Sequence, residues 1–295
     1  MHEYLPAVGF SDVLDITGWK TLLEETVEHY DDKMVFETRE GRLFAEIYRE
    51  TAPGAGLCVC GEFDENNVFY PEYLFPYLNG RDISTTEEVR IERRIATEDC
   101  ECSVDDLRVG ATLIFYLRNL ADFEIRRARG DALSGHFPTE LSGFSLEGTI
   151  LLPLDKKGNE EAWDAAEDER KKLIQAAQSG DAEAMESLTM GDYETYNQVM
   201  ERAGREDVLT IVDSYFMPNG SECDRYAILG EIESWEKVKN KITGEDLIML
   251  VVMCNGIRLT VCINELDLQG EPEAGRRFRG IIWLQGYVHF PDLSK

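Results

Sequence analysis

Leu146-Glu147-Gly148-Thr149-Ile150-Leu151-Leu152-Pro153 and Leu284-Gln285-Gly286-Tyr287-Val288-His289-Phe290-Pro291 share one pattern, in which Leu, Gly and Pro recur at identical spacing. The short apolar run or alternation in each stretch predicts a β-strand that stops before a proline. Because a spaced pattern of this kind occurs twice, it predicts an internal duplication.

Further matches upstream of these two stretches support a repeated unit of about 80 residues. The pairs are Asn79-Gly80 with Asn219-Gly220, Ile91 and Ile95 with Ile228 and Ile232, Leu113-Ile114 with Leu247-Ile248, and Asn119, Phe123 and Ile125 with Asn255, Leu259 and Val261. Each unit is predicted to form an antiparallel four-stranded sheet. A cleft between two such units would be the default ligand site.

Apolar residues at helical spacing predict an amphipathic helix over residues 17–30, with Thr17 as its N-cap. Two-residue alternation and short apolar runs predict the strands. They are placed at residues 34–36, 43–48, 57–60, 88–95, 111–118, 121–127, 144–152, 225–233, 246–254, 257–263 and 280–290.

Residues 68–80 are rich in aromatic side chains and contain Pro71 and Pro76. Since proline interrupts regular structure, we interpret this segment as a short helix or an irregular segment that fills the core. An aromatic binding surface is the alternative.

Residues 155–206 are rich in Ala, Glu, Asp, Lys and Arg, which is typical of helices. Helices are predicted over 160–178, ending near Gly180, then after a cap at Asp181, and over 191–203. We therefore predict an α+β fold in which two related antiparallel β-rich units are bridged by a helical segment. The boundaries are 1–155 for the N-terminal unit, 156–206 for the helical linker and 207–295 for the C-terminal unit.

The composition argues against partners that carry negative charge. The chain has 295 residues, 58 acidic against 30 basic, and a formal net charge of −28. Nucleic-acid binding and attachment to anionic membranes both depend on clustered Lys and Arg. We therefore expect neither a nucleic acid nor a membrane as a partner.

The segments that direct a protein out of the cytoplasm are not evident. The longest apolar run, Leu247–Cys254, is far shorter than the roughly 20 residues of a membrane-spanning helix. The first residues lack the basic start and apolar run of a signal peptide. An odd number of cysteines, seven, is typical of free thiols in a reducing compartment. We expect a cytoplasmic protein.

Two cysteine pairs, Cys58 with Cys60 and Cys100 with Cys102, are the candidates for a metal site, because four thiolates can hold zinc. Zinc knuckles have two or more residues between the cysteines, whereas these pairs have one. We interpret the cysteines as small buried apolar residues and predict no metal and no cofactor.

Familiar catalytic motifs are missing from the sequence. It has no nucleophile elbow, phosphate-binding loop, dinucleotide-binding loop, calcium loop or zinc-protease pattern. We therefore assign no catalytic residue and lean against an enzyme.

Arginines stand out against the acidic background. Arg126, Arg127 and Arg129 end one predicted strand, and a second cluster precedes the last strand. The guanidinium group binds carboxylate and phosphate through paired hydrogen bonds, although pairing with the surplus Asp and Glu would also explain the clusters. The candidate anion- or ligand-binding residues are Arg225, Glu231, Arg276, Arg277 and Arg279.

Several segments together resemble one known family. They are residues 5–11, residues 210–220 running on into 222–232, and residues 276–286. The chain is similar over nearly its whole length to an uncharacterised domain-of-unknown-function family of cytosolic proteins from gut clostridia. The resemblance implies a bacterial, cytosolic origin and transfers neither an activity nor a site.

Three functional hypotheses follow. The first is a non-enzymatic cytosolic binding or interaction protein, whose partner is an unknown protein or a small anionic ligand. The alternative is an enzyme acting on an anionic small molecule in a cleft between the halves, with Glu231 or His136 moving protons. The third is a structural zinc protein that uses the four cysteines above.

Overall fold

Helices and strands are both abundant in this α+β protein, which we describe from a computed structural model. The structure describes residues 2–13, 15–38, 41–93, 100–131, 133, 135–154, 160–191, 209 and 212–291. The longer helices are α1 (Ile16–Glu28), α2 (Leu120–Arg129) and α3 (Glu160–Gln178). Two short 3-10 helices cover Pro6–Val8 and Glu265–Asp267.

The strands fall into two sheets, numbered here along the chain. They are β1 (Asp32–Glu37), β2 (Leu43–Ala52), β3 (Ala55–Phe63), β4 (Phe69–Leu78), β5 (Glu88–Arg93), β6 (Cys100–Asp106), β7 (Ala111–Leu117), β8 (Gly135–His136), β9 (Thr139–Leu151), β10 (Tyr215–Pro218), β11 (Arg225–Lys239), β12 (Asp246–Cys254), β13 (Ile257–Asn264), β14 (Leu268–Gln269) and β15 (Arg277–Val288).

The smaller sheet is an antiparallel meander in the order β1-β2-β3-β4. Helix α1 packs on β2 and β3 through Leu22 and Leu23. The predicted helix over 17–30 is confirmed, but its N-cap is Asp15 rather than Thr17. The Gly18 N–H donates to the Asp15 carboxylate at 2.8 Å, which satisfies one of the free backbone donors of the first turn.

Strand β4 corrects the prediction of a short helix or irregular segment over residues 68–80. Pro71 and Pro76 fit within β4 because this strand lies at the edge of its sheet, where a missing N–H leaves no broken bond to a further strand. Tyr73, Phe75 and Tyr77 are two residues apart and therefore share one face of the strand.

The larger sheet follows the order β10-β11-β12-β13-β9-β15-β7-β6-β5-β8, with β14 beside β9. Strand β11 also pairs with β15, from Arg225 opposite Trp283 to Glu231 opposite Arg277. Strands β11, β12, β13, β9 and β15 therefore close into a ring. Pairing is antiparallel except where β13 meets β9, β14 meets β9 and β15 meets β7.

Alternate residues of the ring strands enter two hydrophobic clusters. On β15, for example, Ile282 and Leu284 belong to one cluster, whereas Trp283 belongs to the other. The second cluster also contains the inner face of the four-stranded sheet and α1. The smaller sheet therefore packs against the outside of the ring. The ring strands have apolar side chains packed on both of their faces.

Helix α2 corrects the strand predicted at 121–127. Asp122 in the first turn and three arginines in the last turn stabilise this helix, because their charges interact favourably with the helix dipole. Gly130 ends the helix with a φ of +83°. The match of Asn119, Phe123 and Ile125 to Asn255, Leu259 and Val261 is therefore wrong, since a helix is aligned with strand β13. Strand β6 forms where the sequence pattern predicts no strand.

The helical segment agrees with prediction where the structure describes it. Helix α3 spans the predicted residues, and Asp181 caps the next helical stretch, residues 182–191, by accepting from the Glu183 N–H at 2.9 Å. Most of the helix predicted over 191–203 lies outside the described residues. The division of the chain at 155/156 and 206/207 stays a prediction.

Candidate functional site

A cavity of about 330 Å³ lies where the edge strand β4 meets β7, β15, the start of β11 and the N-terminal segment. Its walls come from five separate parts of the chain. The lining residues are His2, Glu3, Tyr4, Tyr73, Phe75, Tyr116, Glu222, Asp224, Arg225 and Trp283.

The cavity wall contains a continuous chain of aromatic rings. Trp283 lies at its centre, with the ring centroid of Tyr4 stacked 5.5 Å away and that of Tyr116 tilted at 5.5 Å. Phe75 meets Tyr116 edge to face at 4.9 Å, and Tyr73 lies 6.3 Å beyond Phe75. Such contacts fix the rings in place before any ligand arrives.

Polar contacts position the residues at the opening of the cavity. The Trp283 indole N–H donates to the Asp224 carboxylate at 2.9 Å. Arg225 forms an ion pair with Glu3, and its guanidinium lies 5.8 Å from the centroid of the Tyr4 ring. Since Arg225 and Trp283 are directly opposite in the β11–β15 register, the strand pairing itself brings these groups together.

Burial keeps two titratable groups of the wall uncharged at neutral pH. It lowers the pKa of His2 to about 4 and raises the pKa of Tyr4 to about 12. The formal charges that line the cavity are therefore those of Glu3, Glu222, Asp224 and Arg225, a surplus of negative charge.

A buried polar cluster lies behind Tyr73. The Tyr73 hydroxyl has no hydrogen-bond partner among the described residues and lies beside the thiol of Cys60. Glu46, on β2, is 1% exposed and accepts hydrogen bonds from the Tyr48 hydroxyl at 2.9 Å and the Ala121 N–H at 3.1 Å. Burial nevertheless raises the pKa of Glu46 to about 7, because two donors do not replace the hydration of a carboxylate.

We expect the Glu46→Gln variant to be more stable than the wild type, by a margin that grows with pH. A raised folded-state pKa means that stability is highest while Glu46 is protonated in both states, and falls as pH rises from about 4.5 to about 7. The glutamine keeps the shape and cannot ionise. The difference in free energy of unfolding should increase by about 2 kcal/mol between pH 5.5 and pH 8, measured by urea denaturation.

Glu24→Gln, at an exposed position of α1, is the matched control and should differ from the wild type by a constant amount over the same range. A Glu46→Gln difference that is flat with pH, or that shrinks as pH rises, would contradict the raised pKa.

Of the five residues predicted to bind a ligand, Arg225 lines the cavity. Arg277 is 5% exposed and donates to the carbonyls of Leu152, Leu209 and Val212 at 3.0–3.1 Å, so its guanidinium ties three chain segments together. Arg276 contacts Glu273 in its own loop. Glu231 and Arg279 are exposed on β11 and β15. An anion-binding role for these residues stays a prediction.

The cysteines suggested as zinc ligands lie on different sheets. Cys58 and Cys60 are buried on β3 with their sulfurs 3.8 Å apart, whereas Cys100 begins β6 and Cys102 is buried in the other hydrophobic cluster. Within the part of the chain that the structure describes, no group of three or more His, Cys, Asp or Glu side chains is arranged for a metal ion. His136, the other candidate, is exposed with its Nδ1 3.3 Å from the Thr86 carbonyl.

Sequence reasoning missed the main feature of the site, Trp283, and the N-terminal residues that cover it. One available signal was the aromatic richness of residues 68–80, for which a binding surface was the alternative. Tyr73 and Phe75 from that segment do line the cavity.

The fold and the cavity define an α+β protein with a pocket of small-molecule size walled by aromatic rings. The chain belongs to the family described as "Domain of unknown function, E. rectale Gene description (DUF3881)", which matches residues 5–286. The resemblance to an uncharacterised family from gut clostridia is thereby confirmed. The chain has no match among curated proteins or solved structures. Over the described residues, no helix has the length and apolar character needed to cross a membrane.

Proposed function

We propose that the protein is a non-enzymatic binding protein whose small ligand occupies the aromatic cavity. The observation that carries the proposal is the set of five aromatic side chains that line one cavity of about 330 Å³, near the lower end of the range for small-molecule sites. Apolar and aromatic walls with a few polar groups at one end are typical of such sites.

The titratable groups of the wall favour binding over catalysis. A general acid or base works best when its pKa is close to the operating pH. The pKa values of His2 and Tyr4 lie far from 7, at about 4 and about 12. Glu46, whose pKa is near 7, bonds to Tyr48 and to backbone rather than lining the cavity.

We expect native mass spectrometry of protein purified gently from its own cells to find an added mass of a few hundred daltons or less. The Trp283→Ala variant should lose that added mass, because it removes the ring that touches Tyr4, His2 and Tyr116. A wild-type mass equal to the bare chain would count against the proposal.

Trp235→Ala is the matched control for this measurement. Trp235 is 42% exposed on β11 and does not line the cavity, so its removal should leave the added mass in place. Loss of the added mass from both variants would point to a general effect of removing tryptophan and not to this cavity.

The second candidate is an enzyme that acts on an anionic small molecule. Arg225 is the observation in its favour, because a guanidinium at the cavity mouth is suited to bind a carboxylate or phosphate. Its pairing with Glu3 competes with that role.

We also propose a cytoplasmic location. The support is that Cys58 and Cys60 remain free thiols although their sulfurs lie only 3.8 Å apart on β3. Free thiols are typical of reducing compartments.

We infer further that the chain arose by duplication, with units 1–155 and 207–295 exchanging their last strands across the helical linker 156–206. The support is the order β11-β12-β13-β9-β15-β7-β6-β5, which has the same plan from either end. Each end has three successive antiparallel strands, followed by the last strand of the other unit. Correspondingly, β9 pairs in parallel with β13, and β15 pairs in parallel with β7.

The two glycines of the recurring pattern fit this exchange. A Cβ added to Gly148 would lie 2.5 Å from the ring of Phe278, and one added to Gly286 would lie 2.3 Å from the ring of Phe115. Each glycine therefore receives a phenylalanine from the other unit, which is a reason for glycine to recur at that place.

A further inference from the structure

We infer that the aromatic cavity binds a small organic cation, an amine or a methylated ammonium group. This rests on the proposed function and names the chemical class of its ligand. The observation is the combination, in one cavity, of aromatic rings with a surplus of carboxylates.

The rings supply the first half of the recognition. The faces of Trp and Tyr attract a positive charge because of the ring quadrupole, and the attraction strengthens where water is excluded. Trp283 and Tyr4 are 6% and 4% exposed and pack against each other, so they form a dry base for the cavity. Their stacking and tilting contacts hold them without help from a ligand. The rings of Tyr73 and Tyr116 are partly exposed and are the ones that a ligand can reach.

The carboxylates supply the second half. Arg225 is paired with Glu3, and Asp224 accepts a hydrogen bond from the Trp283 N–H with one carboxylate oxygen. Glu222 is exposed at the mouth, and its carboxylate has no hydrogen bond or ion pair among the described residues. After the Glu3–Arg225 pair is set aside, Glu222 and Asp224 remain to balance a cationic ligand.

The net charge of the whole chain also favours a cationic ligand. The chain carries a formal net charge of −28, which raises the local concentration of cations and lowers that of anions. An anionic ligand would have to overcome that field and also displace Glu3 from Arg225.

The test compares three probes of similar small size on the full chain by ligand-observed NMR titration. They are choline chloride, its uncharged carbon isostere 3,3-dimethylbutan-1-ol, and sodium phosphate as the anion. We expect choline to bind at least about tenfold more tightly than the isostere, and phosphate not to compete. Trp283→Ala should abolish saturable choline binding.

Two variants that each remove one negative charge separate the effect of a carboxylate in the cavity from the effect of the net charge of the chain. Glu222→Gln should weaken choline binding by about fivefold and leave the isostere unchanged, because a nearby carboxylate acts on the charge alone. Glu271→Gln removes the same charge at an exposed position outside the cavity and should change neither.

Equal binding of choline and the isostere would overturn the cationic ligand while leaving a ligand pocket in place. Displacement of choline by phosphate, or binding of phosphate alone, would overturn it in favour of the anionic ligand at Arg225. If none of the probes binds, the inference is wrong, and the added mass in native mass spectrometry decides separately whether the binding function fails with it.

Discussion

Residues 1–155 and residues 207–295, produced as separate chains, are expected to remain unfolded alone and to assemble when produced together. Strand β9 lies between β13 and β15, both of which belong to the other fragment. Without β9, the ring of β11, β12, β13, β9 and β15 is open and its apolar faces are exposed to water. An open edge of this length favours aggregation over folding.

Single contacts across the division reinforce this expectation. Arg277 of the second fragment donates to the carbonyl of Leu152 in the first, and the ring of Phe278 lies against Gly148. Isolated fragments lose both contacts, and the buried guanidinium loses one of its acceptors. Breaking buried networks of this kind is among the few causes of large destabilisation.

The measurement is a near-ultraviolet circular dichroism spectrum and a thermal melt of each fragment and of the mixture. A longer first fragment, 1–206, is the control, and it should complement residues 207–295 as well as 1–155 does if β9 and not the helical linker is required. A cooperative melt from residues 207–295 alone would contradict the strand exchange.

The parts of the fold that could be predicted are those whose information is local. The β12–β13 hairpin was correctly placed because two apolar runs flank the turn Asn255-Gly256, and both residues have positive φ. Helix α3 was likewise predicted by its composition. Local signals also explain the errors, since Pro71 and Pro76 argue against a strand unless one knows that β4 lies at a sheet edge.

The proposed repeat illustrates the limit of pattern matching. Leu113-Ile114 on β7 was matched to Leu247-Ile248 on β12, whereas the proposed strand exchange makes β13 the counterpart of β7. Because alternating apolar residues fit any strand, the sequence match is displaced by one strand and aligns helix α2 with strand β13. The recurring glycine and proline positions are better evidence for a repeat, because only certain backbone positions require glycine or tolerate proline.

The candidate site could not be predicted because its residues are brought together by strand pairing over long distances. Trp283 and Arg225 face each other only through the β11–β15 register, and Tyr73 and Tyr116 arrive from strands of different sheets. Residue type alone favours Arg277 as an anion-binding group, but its guanidinium donates to backbone carbonyls.

The Gly286→Val variant is expected to lose about 4 kcal/mol or more of its free energy of unfolding. Two ring carbons of Phe115 lie 2.3 Å from the place that a Cβ at residue 286 would occupy. Phe115 is fully buried, and the close packing of protein interiors restricts how far such a ring can move. Gly286 also pairs with Leu117 and Leu141, so a shift of the strand would break the sheet on both sides.

A double-mutant cycle makes this expectation specific. Phe115→Ala alone should cost about 3–5 kcal/mol through the cavity that it leaves. Combined with Gly286→Val, the new methyl groups enter that cavity, so the double variant should be more stable than the sum of the two losses predicts, by about 2 kcal/mol. Gly191→Val is the matched control, because no atom of the described residues lies within 4 Å of an added Cβ there, and it should change stability by less than about 1 kcal/mol. Additive losses in urea denaturation would show that the glycine is required for a reason other than the ring of Phe115.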